Sequence, residues 1–298
     1  MMMKKGIFLI SLLSATLLIT ACDPGDKKAT ARVPSDTAAS KKEKDPCYQF
    51  APWGYPRFNP PQKNVFLCND GYAGEFNPRS RTMMWVSENL KKVDLDEKTA
   101  YRQNDFRPDP RLTDSPKLTD YAGSGYDRGH LAPAEDFREN PKKMSQSFYL
   151  SNMIPQNPQN NRGVWAKLEQ NTRYWAMQYN QAYVITGPIF YQGVPLGYLG
   201  KGGEVRLMDG SKGKRGLHSV ENGRIAIPTH IYKIIYAPQI NQMLAFVIPN
   251  TEVNPADLPK YRVTVNTIES LTGLNFFPEL DYNDQRVLKA QIPLWQIR

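Results

Sequence analysis

Residues 163–180, GVWAKLEQNTRYWAMQYN, carry the longest helical signal in the chain. Val164, Trp165, Leu168, Trp175 and Met177 supply its apolar positions and no proline interrupts it. Its length suits roughly four to five turns. Short apolar or β-branched runs bounded by turn residues lie on both sides. They are Asn64–Cys68 (NVFLC), Thr82–Val86 (TMMWV), Phe148–Asn152 (FYLSN), Ala182–Thr186 (AYVIT), His230–Tyr236 (HIYKIIY) and Leu244–Ile248 (LAFVI). One long helix among many short strands predicts an α+β fold with a mainly antiparallel central sheet flanked by helices. A second, shorter helix is expected over Asn266–Gly273. Asn266 is its N-cap, Glu269 can complete a capping box and Gly273 stops it. Residues 192–224 are rich in Gly, Lys and Arg and read as a long loop or hairpin. Its cluster Lys212, Lys214 and Arg215 suits either a phosphate backbone or plain solvent.

Working outward to the N-terminus, the composition changes twice. Residues 1–21 carry Lys4 and Lys5 and then the apolar run Gly6–Ile19, which is too short for a comfortable membrane span and suits a signal peptide. The run closes on Leu18-Ile19-Thr20-Ala21-Cys22. This resembles a bacterial lipobox, which implies cleavage before Cys22, a lipid on its thiol, and a protein facing the periplasm or cell exterior. Residues 22–46 hold almost no apolar side chain and read as a flexible tether, leaving 47–298 as the folded domain. Outside the cytoplasm Cys47 and Cys68 are expected to pair. The chain of 298 residues has a formal charge of +9. Removal of two lysines with residues 1–21 leaves 9 − 2 = +7. A basic balance favours polyanionic partners without requiring them.

Two short segments carry the chemistry. The first is Asp127-Arg128-Gly129-His130, after the turn-forming stretch Tyr121–Tyr126. A neutral imidazole can take a proton from water near neutral pH, and arginine can grip phosphate oxygens with a planar fork. The second runs from Asn161 to Glu169, with Arg173 four residues further on. Glu169 and Arg173 share a helix face and can pair. On a continuous helix Asn161 and Glu169 stand about 12 Å apart along the axis and roughly 80° around it. That separation argues against both binding one ion directly. The other histidines, His218 and His230, read as structural or surface residues.

Together these segments resemble the DNA/RNA non-specific endonucleases, the ββα-metal or His-Me finger nucleases. Asp127–His130 matches the family's DRGH motif in full, and Asn161, Trp165, Leu168 and Glu169 match its helix motif. Phe148–Asn152, Pro155-Gln156, Thr186-Gly187-Pro188 and Pro228-Thr229-His230 with Lys233 are similar to it as well. The resemblance implies a ββα-metal core and one divalent ion, Mg²⁺ or Mn²⁺ or another, per active site. It makes His130 the general base, Asn161 the direct metal ligand and Glu169 a ligand through water. Arg128 and Arg173 would stabilise the charged phosphate, and Asp127 would support the site. A further upstream arginine is expected, for which Arg102 is the better match and Arg107 the alternative. The function implied is hydrolysis of DNA and RNA to 5′-phosphate ends. The alternatives are a non-catalytic nucleic-acid-binding lipoprotein and a metal phosphodiesterase acting on a smaller substrate.

Overall fold

The computed structural model describes residues 45–200, the backbone of 205–207, and residues 225–298. Among them lie the strands β1 (Arg57–Phe58), β2 (Val65–Cys68), β3 (Tyr72–Asn77), β4 (Thr82–Lys91), β5 (Asp127–His130), β6 (Met153–Gln156), β7 (Gln181–Ile189), β8 (Gly197–Leu199), β9 (Val205–Leu207), β10 (Ile225–Ile227), β11 (His230–Ala237), β12 (Gln242–Pro249), β13 (Arg262–Val263) and β14 (Leu274–Asn275). Seven form one sheet in the order β13-β12-β11-β7-β4-β3-β2. Every neighbouring pair in it is antiparallel. The fold is therefore α+β around a mainly antiparallel sheet, as the sequence predicts.

The pleat sorts side chains into two cores, because successive residues of a strand point to opposite faces. Ile231, Ile235, Leu244, Phe246 and Val184 join the core on one face. Tyr232, Ile234, Tyr236, Met243 and Ile185 join the core on the other. The helix Ala166–Gln178 packs on the first face through Leu168, Trp175 and Ala176, with the Trp175 ring stacked 6.2 Å from Phe246. The helices Val265–Thr272 and Tyr282–Leu288 join Trp53, Phe276 and Phe277 on the second. Burying strands on both faces explains why β7, β11 and β12 read as near-continuous apolar runs.

Several expectations need correction. Phe148–Asn152 is not a strand: Tyr149 makes one bridge to Arg107, Leu150–Asn152 forms a 3-10 turn, and β6 begins at Met153. The Asn152 side chain fixes that turn by bonding Ala132 N, Ala132 O and Ser147 O. The long helical segment begins before Gly163. Asn157 caps it by accepting from Asn160 N, and Pro158 occupies its first position. The later helix is capped by Thr264, not Asn266. Glu269 closes no capping box; its carboxylate accepts from Phe276 N and Lys289 Nζ instead. Gly273 ends the helix at φ 72°, a left-handed conformation that favours glycine.

The Cys47–Cys68 disulfide is formed and ties the first described turn to β2. Within the expected loop 192–224, β8 and β9 pair, and β10, which follows that stretch, joins them in a three-stranded sheet. Residues 1–44, with Cys22, and Lys212, Lys214, Arg215 and His218 lie outside the described residues.

Candidate active site

The site is built on the β5–β6 hairpin, in which Asp127 faces Gln156 and His130 faces Met153. Gly129 lets the two strands close, because a Cβ there would stand 2.7 Å from Gln156 Cβ. Gln156 in turn donates to Asn160 Oδ1 at 2.8 Å, which binds the hairpin to the entrance of the helical segment. One residue further, Asn161 donates its amide to Asp127 Oδ2 at 2.9 Å. Arg162 grips the same carboxylate with two bonds, at 2.9 and 2.7 Å. A carboxylate only accepts, so the contact fixes which end of the Asn161 amide is nitrogen and leaves its oxygen to face elsewhere. Asp127, expected to support the site, thus holds both Asn161 and Arg162.

Residues Asn161–Trp165 form a π turn before the α-helix continues at Ala166. Such turns occur often at functional sites. Bonding i to i+5 winds the chain less per residue than an α turn. The offset between Asn161 and Glu169 is therefore smaller than on the continuous helix assumed from sequence.

His130 is 9% exposed and its Nε2 has no hydrogen-bond partner. Its ring lies 5.7 Å from that of Phe106 and 5.1 Å from that of Phe148. Two arginines cover those rings, Arg128 at 4.1 Å over Phe106 and Arg102 at 5.1 Å over Phe148. Burial, followed by the charges of Arg102 and Arg128, pushes the imidazole down to about 3. It is neutral across the ordinary pH range, and its Nε2 is buried without a partner. Leaving such a group unpaired costs about 1–3 kcal/mol, and a functional site is where that cost is tolerated. Arg107, the alternative upstream arginine, is instead held by Asp105 at 2.6 Å and by Ser145 O at 2.9 Å. His230 bonds Thr229 Oγ1 at 3.1 Å, away from this cluster.

Arg173 does not pair directly with Glu169. It donates to Asp136 Oδ1 at 2.7 Å, a carboxylate that the sequence did not single out. Burial raises Glu169 to about 7, against the opposing charges of Lys233 and Arg173. Behind it, Lys233 donates to Thr186 Oγ1 at 2.7 Å and lies 5.4 Å from the Trp165 ring. Glu88 completes this buried group; burial and the charge of Asp136 push its carboxyl well up. Lys233 had a visible signal, a charge inside the apolar run HIYKIIY. Glu88, Asp136 and Arg162 had none, since each finds its partner through a distant contact.

The arrangement sets a neutral imidazole with two arginines near it at one end of the hairpin and an oriented amide bonded to the other end. Comparison with known proteins agrees. The family described as DNA/RNA non-specific endonuclease matches residues 51–283.

The chain belongs to the DNA/RNA non-specific endonuclease family.

Nuclease C1 of Cunninghamella echinulata var. echinulata is 34% identical over 226 residues, covering 72% of this chain and 84% of its own. Human mitochondrial endonuclease G is 32% identical, with 71% and 69% covered. Xenopus laevis mitochondrial nuclease EXOG is 30% identical over 84% of this chain, which spans 66% of its length. A crystal structure of the EndoG/EndoGI complex superposes with a TM-score of 0.65 at 27% identity, covering 80% of this chain and 93% of that one. The overall α+β fold, with its mainly antiparallel sheet and helices, is thus like that of endonuclease G.

Proposed function

We propose that this chain is a metal-dependent, sequence-non-specific nuclease. It hydrolyses phosphodiester bonds of DNA and RNA and leaves 5′-phosphate ends. The observation that carries this reading is the shared hairpin. One end bears His130 as a neutral imidazole, and the other bears Asp127, which orients Asn161. The two ends are separated by three residues, about 10 Å of strand.

Mg²⁺ or a similar ion suits this donor set. Asn161 presents one hard oxygen held by its own amide bond to Asp127, and Glu169 is a carboxylate on the following helix. Among the described residues no group of three His, Cys, Asp or Glu forms a cage. Mg²⁺ commonly keeps several waters and takes few protein ligands. Asn161 would hold the ion directly and Glu169 through water. When bound, the ion supplies positive charge to the scissile phosphate and its departing oxygen.

The protein side chains do the rest. The His130 imidazole removes a proton from the attacking water as the new P–O bond forms and the bond to the 3′ oxygen breaks. The departing oxygen takes a proton from solvent. Arg102 and Arg128 contribute charge beside the base and grip the phosphate. A bound phosphate offsets the two charges that depress His130, so the base strengthens when substrate arrives. Arg173, held by Asp136, stabilises the developing charge. With contacts mainly to phosphate, cleavage has little sequence preference and depends strongly on salt.

Incubation of plasmid DNA and of RNA with purified protein, in Mg²⁺ and in EDTA, tests the reading. Wild type degrades both only with the metal, and His130→Ala loses roughly 10²–10⁴-fold in rate. Equal cleavage by His130→Ala, or cleavage indifferent to EDTA, overturns it. Binding without cleavage reduces the protein to a nucleic-acid binder. The lipobox-like Leu18–Cys22 further supports export, with a lipid on Cys22 and the tether 22–46 holding the enzyme off a bacterial membrane. Fractionation of cells making Cys22→Ser should then move the protein out of the membrane fraction. An unchanged distribution rejects the anchor.

A further inference from the structure

A cleft of about 510 Å³ opens beside the catalytic hairpin, lined in part by Tyr126, Asn157, Tyr191, Leu196, Thr229 and Thr251. It shares walls with the site. Tyr126 immediately precedes Asp127, and Asn157 caps the segment that carries Asn161. Asn160, next to Asn161, donates to Thr251 O at 3.1 Å. Asn250 links the remaining wall by accepting from Asn157 N and donating to Pro155 O and Pro228 O. Tyr191 is half exposed, yet its backbone is fixed. Its N–H donates to Thr229 Oγ1 at 3.0 Å, and the turn closes with Val194 N donating to Tyr191 O at 3.0 Å. The Tyr191 ring lies 6.5 Å from that of His230.

The lining combines aromatic faces with short amide and hydroxyl groups, next to the place where a phosphate would bind. A nucleobase has matching chemistry, with a π-face to stack and a polar edge to solvate. An enzyme without sequence preference cannot hold its substrate by reading base edges. Stacking holds any base, since every base has a π-face. We propose that this cleft is a nucleobase subsite in which Tyr191 stacks a base flanking the scissile phosphate and Tyr126 closes the opposite side. The subsite rests on the nuclease reading above and extends it from phosphate contacts to a base contact.

The test maps cutting at each linkage of an end-labelled single-stranded oligonucleotide, with and without one abasic residue. With wild type, cutting at one linkage flanking the abasic position falls by roughly tenfold, the loss expected for one stacked base. Tyr191→Ala cuts that linkage equally in both oligonucleotides, and its KM on the intact strand rises by a similar factor. Tyr191→Phe, which keeps the ring, retains the wild-type pattern. Tyr191 is exposed on a turn, so neither variant threatens the fold. A dip that persists in Tyr191→Ala, or none in wild type, overturns the subsite while leaving the nuclease intact. Failure of wild type to cut either strand overturns both.

Discussion

The two faces of the seven-stranded sheet are built from alternate residues of the same strands, yet they differ sharply in polarity. The face toward Tyr232 and Tyr236 is packed with aromatic rings. Trp53 stands edge-on 4.9 Å from Tyr183 and 4.8 Å from Tyr236, and Tyr232 meets Phe276 at 5.6 Å. Its hydroxyls have partners: Tyr232 donates to Met84 O and Tyr236 to Asn241 Oδ1. Trp53 Nε1 is its exception. The other face places Glu88, Thr186 and Lys233 on three adjacent strands, with Trp165 above them. On that side Glu88 Oε2, Trp165 Nε1 and His130 Nε2 have no hydrogen-bond partner. Buried charges and open polar atoms are weak devices for stability. The cluster of Glu88, Asp136, Glu169 and Lys233 lies at the helix Ala166–Gln178, on the face where the proposed chemistry would take place.

Exchanging a charge on one face and a methyl group on the other tests this contrast most directly. Lys233 acts on Glu88, Asp136 and Glu169, and each of these carboxyls is already raised by burial. Lys233→Met removes that cation and its bond to Thr186 and should cost about 1.5–3 kcal/mol of stability. The rate should fall as well, because Glu169 and Trp165 lose their support. Ile234→Val, one residue away on the aromatic face, should cost about 0.5–1.5 kcal/mol and leave turnover unchanged. Denaturant unfolding and single-turnover cleavage measure both quantities. Equal losses of stability and activity in the two variants would erase the distinction between the faces.

The legible and illegible parts of the sequence divide along related lines. The strands β7, β11 and β12 show as apolar runs because both their faces are buried, and the helix shows through Leu168 and Trp175. The candidate site shows through the four-residue motif Asp127–His130, though not as a hairpin, and the disulfide through compartment logic. β3 was missed because Gly74 and Glu75 interrupt it. Gly74 is required there, since a Cβ would stand 2.6 Å from Trp85 O. The helix Pro141–Ser147 was missed although Asn140 caps it through Lys142 N and Lys143 N. Within the candidate site, local motifs singled out His130, Asn161 and Glu169. Asp136 meets Arg173 from 37 residues away, and Arg162 meets Asp127 from 35. Such pairs follow from how the hairpin docks on the helix, which no local pattern records.

A smaller effect sharpens the same comparison through pH. His130 is buried as the neutral base, and its folded value of about 3 lies below the ordinary 6.5. Between those limits the unfolded chain binds a proton that the folded protein refuses. Stability contributed at this position therefore falls as pH drops from 6.5 toward about 3, and changes no further below that. His130→Gln removes the titrating group. Thermal unfolding of both proteins across this window should show wild type losing stability relative to the variant as acid is added. The two curves should run parallel above 6.5. A difference that is flat with pH would mean that His130 takes up its proton in the folded state as readily as in the unfolded one. His130 would then be an ordinary solvated imidazole, and the case for a face shaped by catalysis would lose its main support.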